Sequence, residues 1–519
     1  MLFSITFLQF DTLFYLCFNL NMREFDLKNN IRACVRENKN TPRVALTLNF
    51  SISVPEKYSG EYSLMNRLLL KGTEKYSSEE LSTILDENAI DFSTEMKSDY
   101  LRFRFVCLNE DFEKALSILK EVILHSTFEE FDKEKTKLKG ELTAELDSAK
   151  VKVSDLFTKT IYKNHFYGNS YTKILEEIDN VTKEDVIASY REILNNSQKT
   201  AAIAGDVDFD LIDKYLGQDI PEAKEAVSLI PIPQPLEQEY TEIIKEDANQ
   251  AQILQGWRVP TIGDDEYPVI MLLNIILGAS GLSSRLFLEL REKKGLAYTV
   301  RTAYETHKKS AVFSIYIGTE PSNIQTSIDG FKEEIEKIKT IPVSEEELKN
   351  AVNNLIGKQQ YVTETNSQQA NMMAYYSIMG KPFDYQAEII EKLHKVTPII
   401  CITKSDLVDS NEMSKINEVL EYYRNIGYTV VFNYELDKIE DMLSNKTSVF
   451  TGQTGAGKST LLNKLNPNWN LETGEVSIAL GRGRHTTRVV ELFEFGDGKV
   501  LDTPGFSALD LYEYSDADI

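Results

Sequence analysis

The chain has 519 residues and a mass of 59.2 kDa, which predicts about three domains at roughly 150 residues each. Its 42% apolar and 27% charged residues are typical of folded proteins and exclude a disordered or fibrous chain. The net charge of −24 disfavours binding to DNA by general phosphate attraction. Four scattered cysteines without a CxxC pair indicate a reducing, cytoplasmic location, without a disulfide framework.

Residues 1–21 form an apolar, aromatic leader that is interrupted by Gln9 and Asp11. A secretory signal needs a basic start and a small-residue cleavage site, but the first positive charge is Arg23. A membrane span needs about 20 predominantly apolar residues, so the interruptions weaken that interpretation. Three interpretations stay open: a misassigned start before Met22, an apolar extension, or membrane targeting, which has the least support.

From 22 to 220 the pattern alternates strands with long amphipathic helices. Ser77 and Glu80 have the spacing of a capping box and predict the start of a helix. The expected strands lie at 44–54 and 91–108, and the expected helices lie at 77–88, 111–124 and 130–150. A proline-rich stretch at 221–240 then reads as an extended linker.

The same order of elements returns in residues 241–396. A strand at 310–317 and helices at 323–338 and 345–360 repeat the earlier scheme about 210 residues on, which indicates an internal duplication. Residues 397–519 differ, because apolar strands at 398–403, 429–432 and 448–451 end in polar or glycine-rich loops. That pattern is typical of a parallel α/β sheet with ligands at the carboxyl ends of its strands.

A GxxxxGK[ST] motif follows the strand at 448–451 and precedes a helical run at 460–465, the context that a phosphate-binding loop requires. Its glycines let backbone N–H groups face phosphates, while lysine reaches the β- and γ-phosphates and serine ligates Mg²⁺. The candidate nucleotide-binding residues here are Gly452, Gln453, Thr454, Gly455, Ala456, Gly457, Lys458, Ser459 and Thr460.

Two further boxes follow predicted strands. In the DTPG box, Asp502 is a candidate to hold Mg²⁺ through water, and the Gly505 amide is a candidate donor to a γ-phosphate. In the TKSD box that opens with Thr403, the Asp406 carboxylate can accept from two guanine N–H donors that adenine lacks, and the Lys404 stem can cover the base. Each box alone is common, but the three together are specific for a guanine nucleotide.

The base-reading box precedes the phosphate loop, opposite to ordinary GTPases, and a GRGRHTTR string lies between the loop and DTPG. This order and string resemble the circularly permuted GTPases of the RsgA type, which depend on the small ribosomal subunit. The resemblance covers about 397–510 and implies GTP or GDP, Mg²⁺ and the 30S subunit as a partner. Thr486 or Thr487 is then the threonine that senses Mg²⁺ and the γ-phosphate.

The resemblance also has departures. Phe506 replaces the usual water-orienting glutamine, so His485 is the candidate for positioning water, and a loop histidine without a role is the alternative. The loop arginines contact ribosomal RNA or are merely solvated. The family's N-terminal barrel, its C-terminal zinc module and the strand upstream of the base-reading box have no counterpart here. We therefore expect a gap in mid-sheet that weakens folding and nucleotide affinity unless another segment fills it.

Residues 22–396 resemble the two-domain insulinase or pitrilysin-type peptidases, most firmly in the stretch 277–298. In that family an arginine and a tyrosine at this spacing grip the substrate backbone, so Arg291 and Tyr298 are the candidate peptide-binding pair. The alternative is an exposed helical arginine and a tyrosine that faces the core. Gly295 closes the expected helix before a strand that begins at Leu296.

The zinc motif HxxEH of that family is degenerate, with Ser63, Asn66 and Arg67 at its histidine, glutamate and histidine positions. None of the three can replace a ligand or the base, so we expect no catalytic zinc. Glu141 or Glu145 lies where a third ligand is due and is interpreted as a solvated helix charge. Zinc-free members of the family often pair with a zinc-bearing sister subunit, which is the partner that the resemblance implies for this half.

The expected fold class is therefore α+β and α/β: two duplicated insulinase-like halves followed by a truncated, permuted P-loop GTPase domain. Both resemblances break off near 396–398, which favours a fused pair of fragments, from a gene rearrangement or an assembly artefact. The leading hypothesis is a GTPase of small-subunit biogenesis joined to an inactive peptidase homologue. The alternatives are a peptide-gripping partner of a zinc peptidase and, with least support, a scaffold tethered to a membrane.

Overall fold

The computed structural model describes residues 22–224, 228–236, 238–245, 248–394, 399–403, 413, 416–417, 420–421, 424, 429–444, 447–450, 457–469, 471 and 491–502. The leader at 1–21 therefore lies outside the described residues. The chain divides into two compact units, of which the larger holds the first nine strands and the smaller holds the last five. Among helices in the described ranges, none combines the length and apolar character that crossing a bilayer needs.

The first half is a six-stranded sheet of order β1-β2-β6-β3-β5-β4. Its strands are β1 (Met22–Asp26), β2 (Arg32–Glu37), β3 (Arg43–Ser51), β4 (Asp91–Met96), β5 (Tyr100–Leu108) and β6 (Lys199–Gly205). Its helices are α1 (Glu61–Leu68), α2 (Ser78–Glu87), α3 (Phe112–His125), α4 (Phe131–Glu145), α5 (Ala149–Ile161), α6 (Tyr171–Glu177), α7 (Lys183–Asn196) and α8 (Phe209–Leu216). β3 and β6 are central, and nearly all of their residues are buried.

Local sequence chemistry explains several of these boundaries. The Ser77 hydroxyl accepts from the Glu80 amide while the Glu80 carboxylate accepts from the Ser77 amide, so the expected capping box starts α2. The single strand expected at 91–108 is instead the hairpin of β4 and β5. The helix expected at 130–150 ends at Glu145 and a second helix starts at Ala149.

The second half carries a three-stranded antiparallel sheet of order β7-β9-β8. Its strands are β7 (Ala251–Val259), β8 (Ala297–Thr306) and β9 (Ala311–Thr319). Its helices are α9 (Tyr267–Asn274), α10 (Ile324–Thr340), α11 (Glu345–Tyr361), α12 (Asn366–Ile378) and α13 (Tyr385–His394), with π-helical segments at Ile275–Ala279 and Phe287–Lys293. Gly295 follows the second π segment at φ 63°, where glycine is unstrained, and β8 begins two residues later.

The two halves exchange helices. α12 of the second half packs on β3 and β6 of the first sheet, where the Thr47 hydroxyl donates to Asn371 (2.8 Å) and the Asn49 amide donates to the Ala374 carbonyl (3.0 Å). In return, α5 of the first half packs on β7 of the second sheet. The two duplicated halves therefore share their cores.

The smaller unit contains two short ladders. β10 (Ile399–Ile402) pairs parallel with β11 (Thr429–Phe432), while β12 (Thr447–Phe450), β14 (Gly498–Asp502) and β13 (Glu491–Phe495) form a second sheet in that order. The helices are α14 (Leu436–Leu443) and α15 (Lys458–Leu465). The predicted parallel pairing is present in both ladders, between β10 and β11 and between β12 and β14.

Candidate functional site

The end of the phosphate-loop motif is the start of a helix. β12 ends at Phe450, and α15 begins at Lys458 with Gly457 as its N-cap residue. Gly457 has φ 93°, in the left-handed region where only glycine is free of strain. Gly457 has no side chain to cap the helix, and a helix N-terminus is where backbone amides can face an anion.

The first residue of each of the other two boxes lies near one end of the phosphate-loop segment. Phe450, the last residue of β12, is the ladder partner of Asp502, so the phosphate-loop strand and the DTPG strand end side by side. Thr403, which directly follows β10, lies against Gly457, because a Cβ added to that glycine would be 3.8 Å from the Thr403 Cβ. The backbone therefore brings together one end of each predicted box.

Only part of the predicted nucleotide site is described. Ser459 is half-buried and Thr460 is exposed in the first turn of α15. Lys458 and Asp502 are placed by their backbone alone. The remaining predicted residues lie outside the described ranges: Lys404, Asp406, Gly452, Gln453, Thr454, Gly455, Ala456, His485, Thr486, Thr487 and Gly505.

One hydrophobic core supports both ladders of the smaller unit. It joins Val431 of β11, Val500 of β14, and Leu461 and Leu462 of α15, with Trp469 packed at its edge. The ladders themselves stay separate, since the described strands of β10–β11 and of β12–β14–β13 form two sheets rather than one. Side-chain packing therefore contributes directly to the position of Thr403 relative to α15.

The degenerate zinc positions lie on α1, and one of them, Arg67, belongs to a cluster of ion pairs with α4. The Arg67 guanidinium pairs with Glu141 and lies 3.5 Å from Glu134, whose side chain is only 3% exposed. The Lys71 ammonium lies 3.0 Å from the same Glu134. Glu141 is thus an ion-pair partner, not only the solvated charge that we interpreted, and sequence reasoning missed the buried Glu134.

This donor set does not fit zinc. A guanidinium has no lone pair to donate and carries a permanent positive charge, so Arg67 repels a cation at this position. Ser63 and Asn66 lie on the same helix without an imidazole beside them. Within the described ranges, no group of three histidine, cysteine, aspartate or glutamate side chains could hold a metal ion.

Arg291 and Tyr298 are both exposed in the second half. The Arg291 guanidinium lies 4.8 Å from the centre of the Phe287 ring, one turn earlier in the π-helical segment. Tyr298 is 60% exposed and sits at a bulge of β8, where the ladder with β9 shifts register. The alternative of a core-facing tyrosine is therefore wrong, and both side chains are accessible to a ligand.

These observations define a chain that joins a duplicated α+β fold, whose degenerate zinc positions do not fit zinc, to a segment that carries a GxxxxGK[ST] motif. Comparison of the sequence with models of known families assigns a family to each part of the chain. Residues 34–177 match the model of the insulinase (peptidase family M16), residues 180–355 match the peptidase M16 inactive domain, and residues 388–512 match the RsgA GTPase. The chain thus combines M16-type segments with an RsgA-type segment.

Individual relatives agree with this division. The small ribosomal subunit biogenesis GTPase RsgA of Streptococcus agalactiae is 48% identical over 145 residues, which are 27% of this chain and 48% of that protein. RsgA 1 of Listeria monocytogenes is 53% identical over 124 residues, 23% of this chain and 42% of the relative. The chain therefore spans about half the length, or less, of these curated relatives.

Solved structures resemble the peptidase-like part. A peptidase M16 inactive domain from Pseudomonas fluorescens superposes with a TM-score of 0.65 at 20% identity, covering 73% of this chain and 93% of that one. A protease from Helicobacter pylori gives a TM-score of 0.63 at 19% identity, with coverages of 72% and 93%. At this identity the likeness shows the fold alone, which confirms the expected duplicated α+β architecture.

Proposed function

We propose that the C-terminal segment, 397–519, is a Mg²⁺-dependent GTPase module that acts in the cytoplasm on the small ribosomal subunit. Two observations carry the proposal: Thr403 lies against Gly457 at the N-terminus of α15, and the strands that precede the phosphate loop and DTPG end side by side at Phe450 and Asp502. The curated relatives named above are small ribosomal subunit biogenesis GTPases, which supports the ribosomal partner.

Each box has a distinct task in this proposal. The amides at the start of α15 and the Lys458 ammonium bind the phosphates, while Asp406 and Lys404 select guanine. Ser459, Asp502 and Thr486 or Thr487 would hold Mg²⁺, which supplies charge neutralisation at the phosphates when bound. His485 orients the attacking water, and the Gly505 amide donates to the γ-phosphate.

Binding of fluorescent GDP and GTP to the full chain tests the proposal. Lys458→Ala removes a charged phosphate contact and should weaken binding by about 10- to 100-fold. Lys464→Ala is the matched control, because Lys464 is an exposed lysine in the last turn of the same helix. Equal affinity of the wild-type chain and Lys458→Ala would contradict the proposal.

The second candidate function belongs to residues 22–220 and 241–396, joined by the linker 221–240. In this proposal they grip extended peptides through Arg291 and Tyr298 for a zinc-bearing sister subunit. The exposure of both side chains and the Arg67 ion pairs support it. Co-purification with an HxxEH-bearing subunit supports the partnership, and zinc-dependent peptidase activity of this chain alone would contradict it.

A further inference from the structure

Part of the linker between the two halves is attached to both of them, and we call this part, residues 228–236, the strap. Prolines occupy every second position from 231 to 235, and each lacks an N–H group, so the strap cannot pair as a regular strand. The Leu229 amide donates to the Ser53 carbonyl (2.7 Å), and Ile230, which is 2% exposed, packs in the core of the first half. The carbonyl groups of the strap are left to accept hydrogen bonds from side chains.

Three basic side chains donate to carbonyl groups of the strap. The pairs of donor and acceptor are Lys309 with Ile230, His165 with Pro231, and Arg258 with Gln234. A second Arg258 N–H group donates to the carbonyl of Ile161, the last residue of α5. His165 and Ile161 belong to the first half. Arg258 on β7 and Lys309 after β8 belong to the second half. The strap therefore lies at the junction of the two halves and connects them.

The hydrogen bonds of His165 define which of its ring nitrogens carries a proton. Nε2 lies 2.9 Å from the Pro231 carbonyl, which can only accept, so Nε2 carries the proton and donates it. Nδ1 accepts from the Tyr167 amide at 3.0 Å, so Nδ1 carries no proton. His165 is also 8% exposed, so water has little access to the ring. The site therefore fits the neutral imidazole, and the pair of bonds depends on that form.

The charged and titratable groups that face His165 come from both halves. They are Tyr162, Tyr167, Arg258, His307 and Lys309. Burial is the main cause that lowers the pKa of His165; the bond to the Pro231 carbonyl opposes the fall, and the charges of the three second-half side chains add to it. A second proton on this ring is therefore costly while the strap is attached.

The position of Tyr167 decides which group must move when His165 is protonated. A proton on Nδ1 would point at the Tyr167 N–H group, and two donors cannot bond to each other. The Tyr167 hydroxyl donates to the buried Asp99 carboxylate (2.7 Å), and its ring stacks on the His307 ring with centres 4.1 Å apart. The same carboxylate lies 3.3 Å from His307 Nδ1. Because these contacts hold Tyr167, the His165 ring has to turn away, and Nε2 then leaves the Pro231 carbonyl.

We propose that the strap is a pH-dependent connection between the two halves, held at Pro231 by neutral His165 and released when His165 takes up a proton. Histidine is the side chain whose charge ordinarily changes between about pH 5 and 8, whereas lysine and arginine keep their charge there. The attachment at Pro231 therefore responds to pH in this range. Release loosens the junction of the two halves without unfolding either sheet.

Hydrogen exchange of the full chain at about pH 7.5 and about pH 5, expressed as protection factors, tests the release. The Leu229 amide reports on the strap, because it is bonded to Ser53, and the amides of β3 report on the fold. In the wild type the protection of Leu229 should fall about tenfold at the lower pH, while β3 shows no comparable fall. The fall should have the same midpoint as the titration of the His165 ring, followed by its nitrogen chemical shifts.

Substitution of single histidines identifies the responsible group. His165→Gln cannot take up a proton, so the protection of Leu229 should be the same at both pH values. His125→Gln is the matched control, because His125 is a partly exposed histidine at the end of α3 that pairs with Glu74, and this variant should keep the wild-type fall. Constant protection of Leu229 in the wild type, an equal fall in His165→Gln, or different midpoints for the strap and the His165 ring would each overturn the proposal.

Discussion

The loop before α1 contains a carboxylate whose titration should set the pH dependence of stability. Burial is the main cause that raises the pKa of Glu56 to about 7; the Tyr62 amide opposes the rise, and the nearby Glu61 carboxylate adds to it. That amide donates to the Glu56 carboxylate at 2.8 Å, and the Asn169 side-chain amide donates to its other oxygen. These donors favour the carboxylate, but burial outweighs them, so the loop favours the protonated form of Glu56.

The size and sign of the effect of pH on stability follow from the difference between the pKa of Glu56 in the folded and the unfolded chain. The pKa of Glu56 is about 7 in the folded chain against 4.5 for an ordinary glutamate, a difference worth up to about 3 kcal/mol at about 1.36 kcal/mol per unit. Since the folded-state pKa is the higher one, this stability is fully present below pH 4.5 and is lost as the pH rises through 7. Burial also raises the pKa of Glu61, which adds in the same direction.

Glu56→Gln removes the titrating group and keeps a side chain of the same shape. We expect the variant to resemble wild type at pH 4.5 and to be more stable at pH 8 by up to about 3 kcal/mol. Hydrogen exchange of α1 amides, expressed as protection factors at each pH, measures the difference locally. Glu87→Gln, at an exposed position of α2, is the control. Equal pH slopes for Glu56→Gln and wild type would refute the reasoning.

Three further outcomes are expected. Arg67→Ala should lower the free energy of unfolding by about 1–3 kcal/mol in urea titrations, because the buried Glu134 carboxylate loses one of its cations. Burial lowers the pKa of His165, so wild type should lose stability as the pH falls below about 6.5, and His165→Gln should flatten that slope in the same titrations. Asp406→Asn should shift the nucleotide preference from GTP towards XTP in competition assays, because an amide can donate to the 2-oxo group of xanthine.

Local patterns were enough to predict much of the fold. The capping box at Ser77, the strand-to-helix turn at Gly457 and the repeated element order depend on residues close in sequence, and each is present in the structure. The hairpin within 91–108 was missed, because both of its strands alternate in the same way. Only the antiparallel pairing of β4 with β5 in the structure shows that a turn separates them.

The candidate sites were less predictable where they depend on contacts between distant residues. The HxxEH comparison identified Arg67 as a misfit, but its pairing with Glu134 depends on how α1 packs against α4. The exposure of Tyr298 follows from a bulge in β8, which a period-two pattern does not reveal. The exchange of α5 and α12 between the two sheets likewise involves distant residues: α5 and β7 are about 100 positions apart, and Thr47 and Asn371 are 324 apart.

The separate ladders of the smaller unit bear on how a nucleotide site could work there. In one continuous parallel sheet, backbone hydrogen bonds would fix the end of β10 relative to the start of α15. Here the described strands form two ladders, and the core around Val431, Leu461 and Val500 joins them. Because side-chain packing tolerates small shifts more readily than a ladder does, the base recognition proposed after Thr403 and the phosphate binding proposed at the start of α15 should be less tightly coupled. A change that loosens this core should therefore reduce the selectivity for guanine before it reduces the affinity for phosphate.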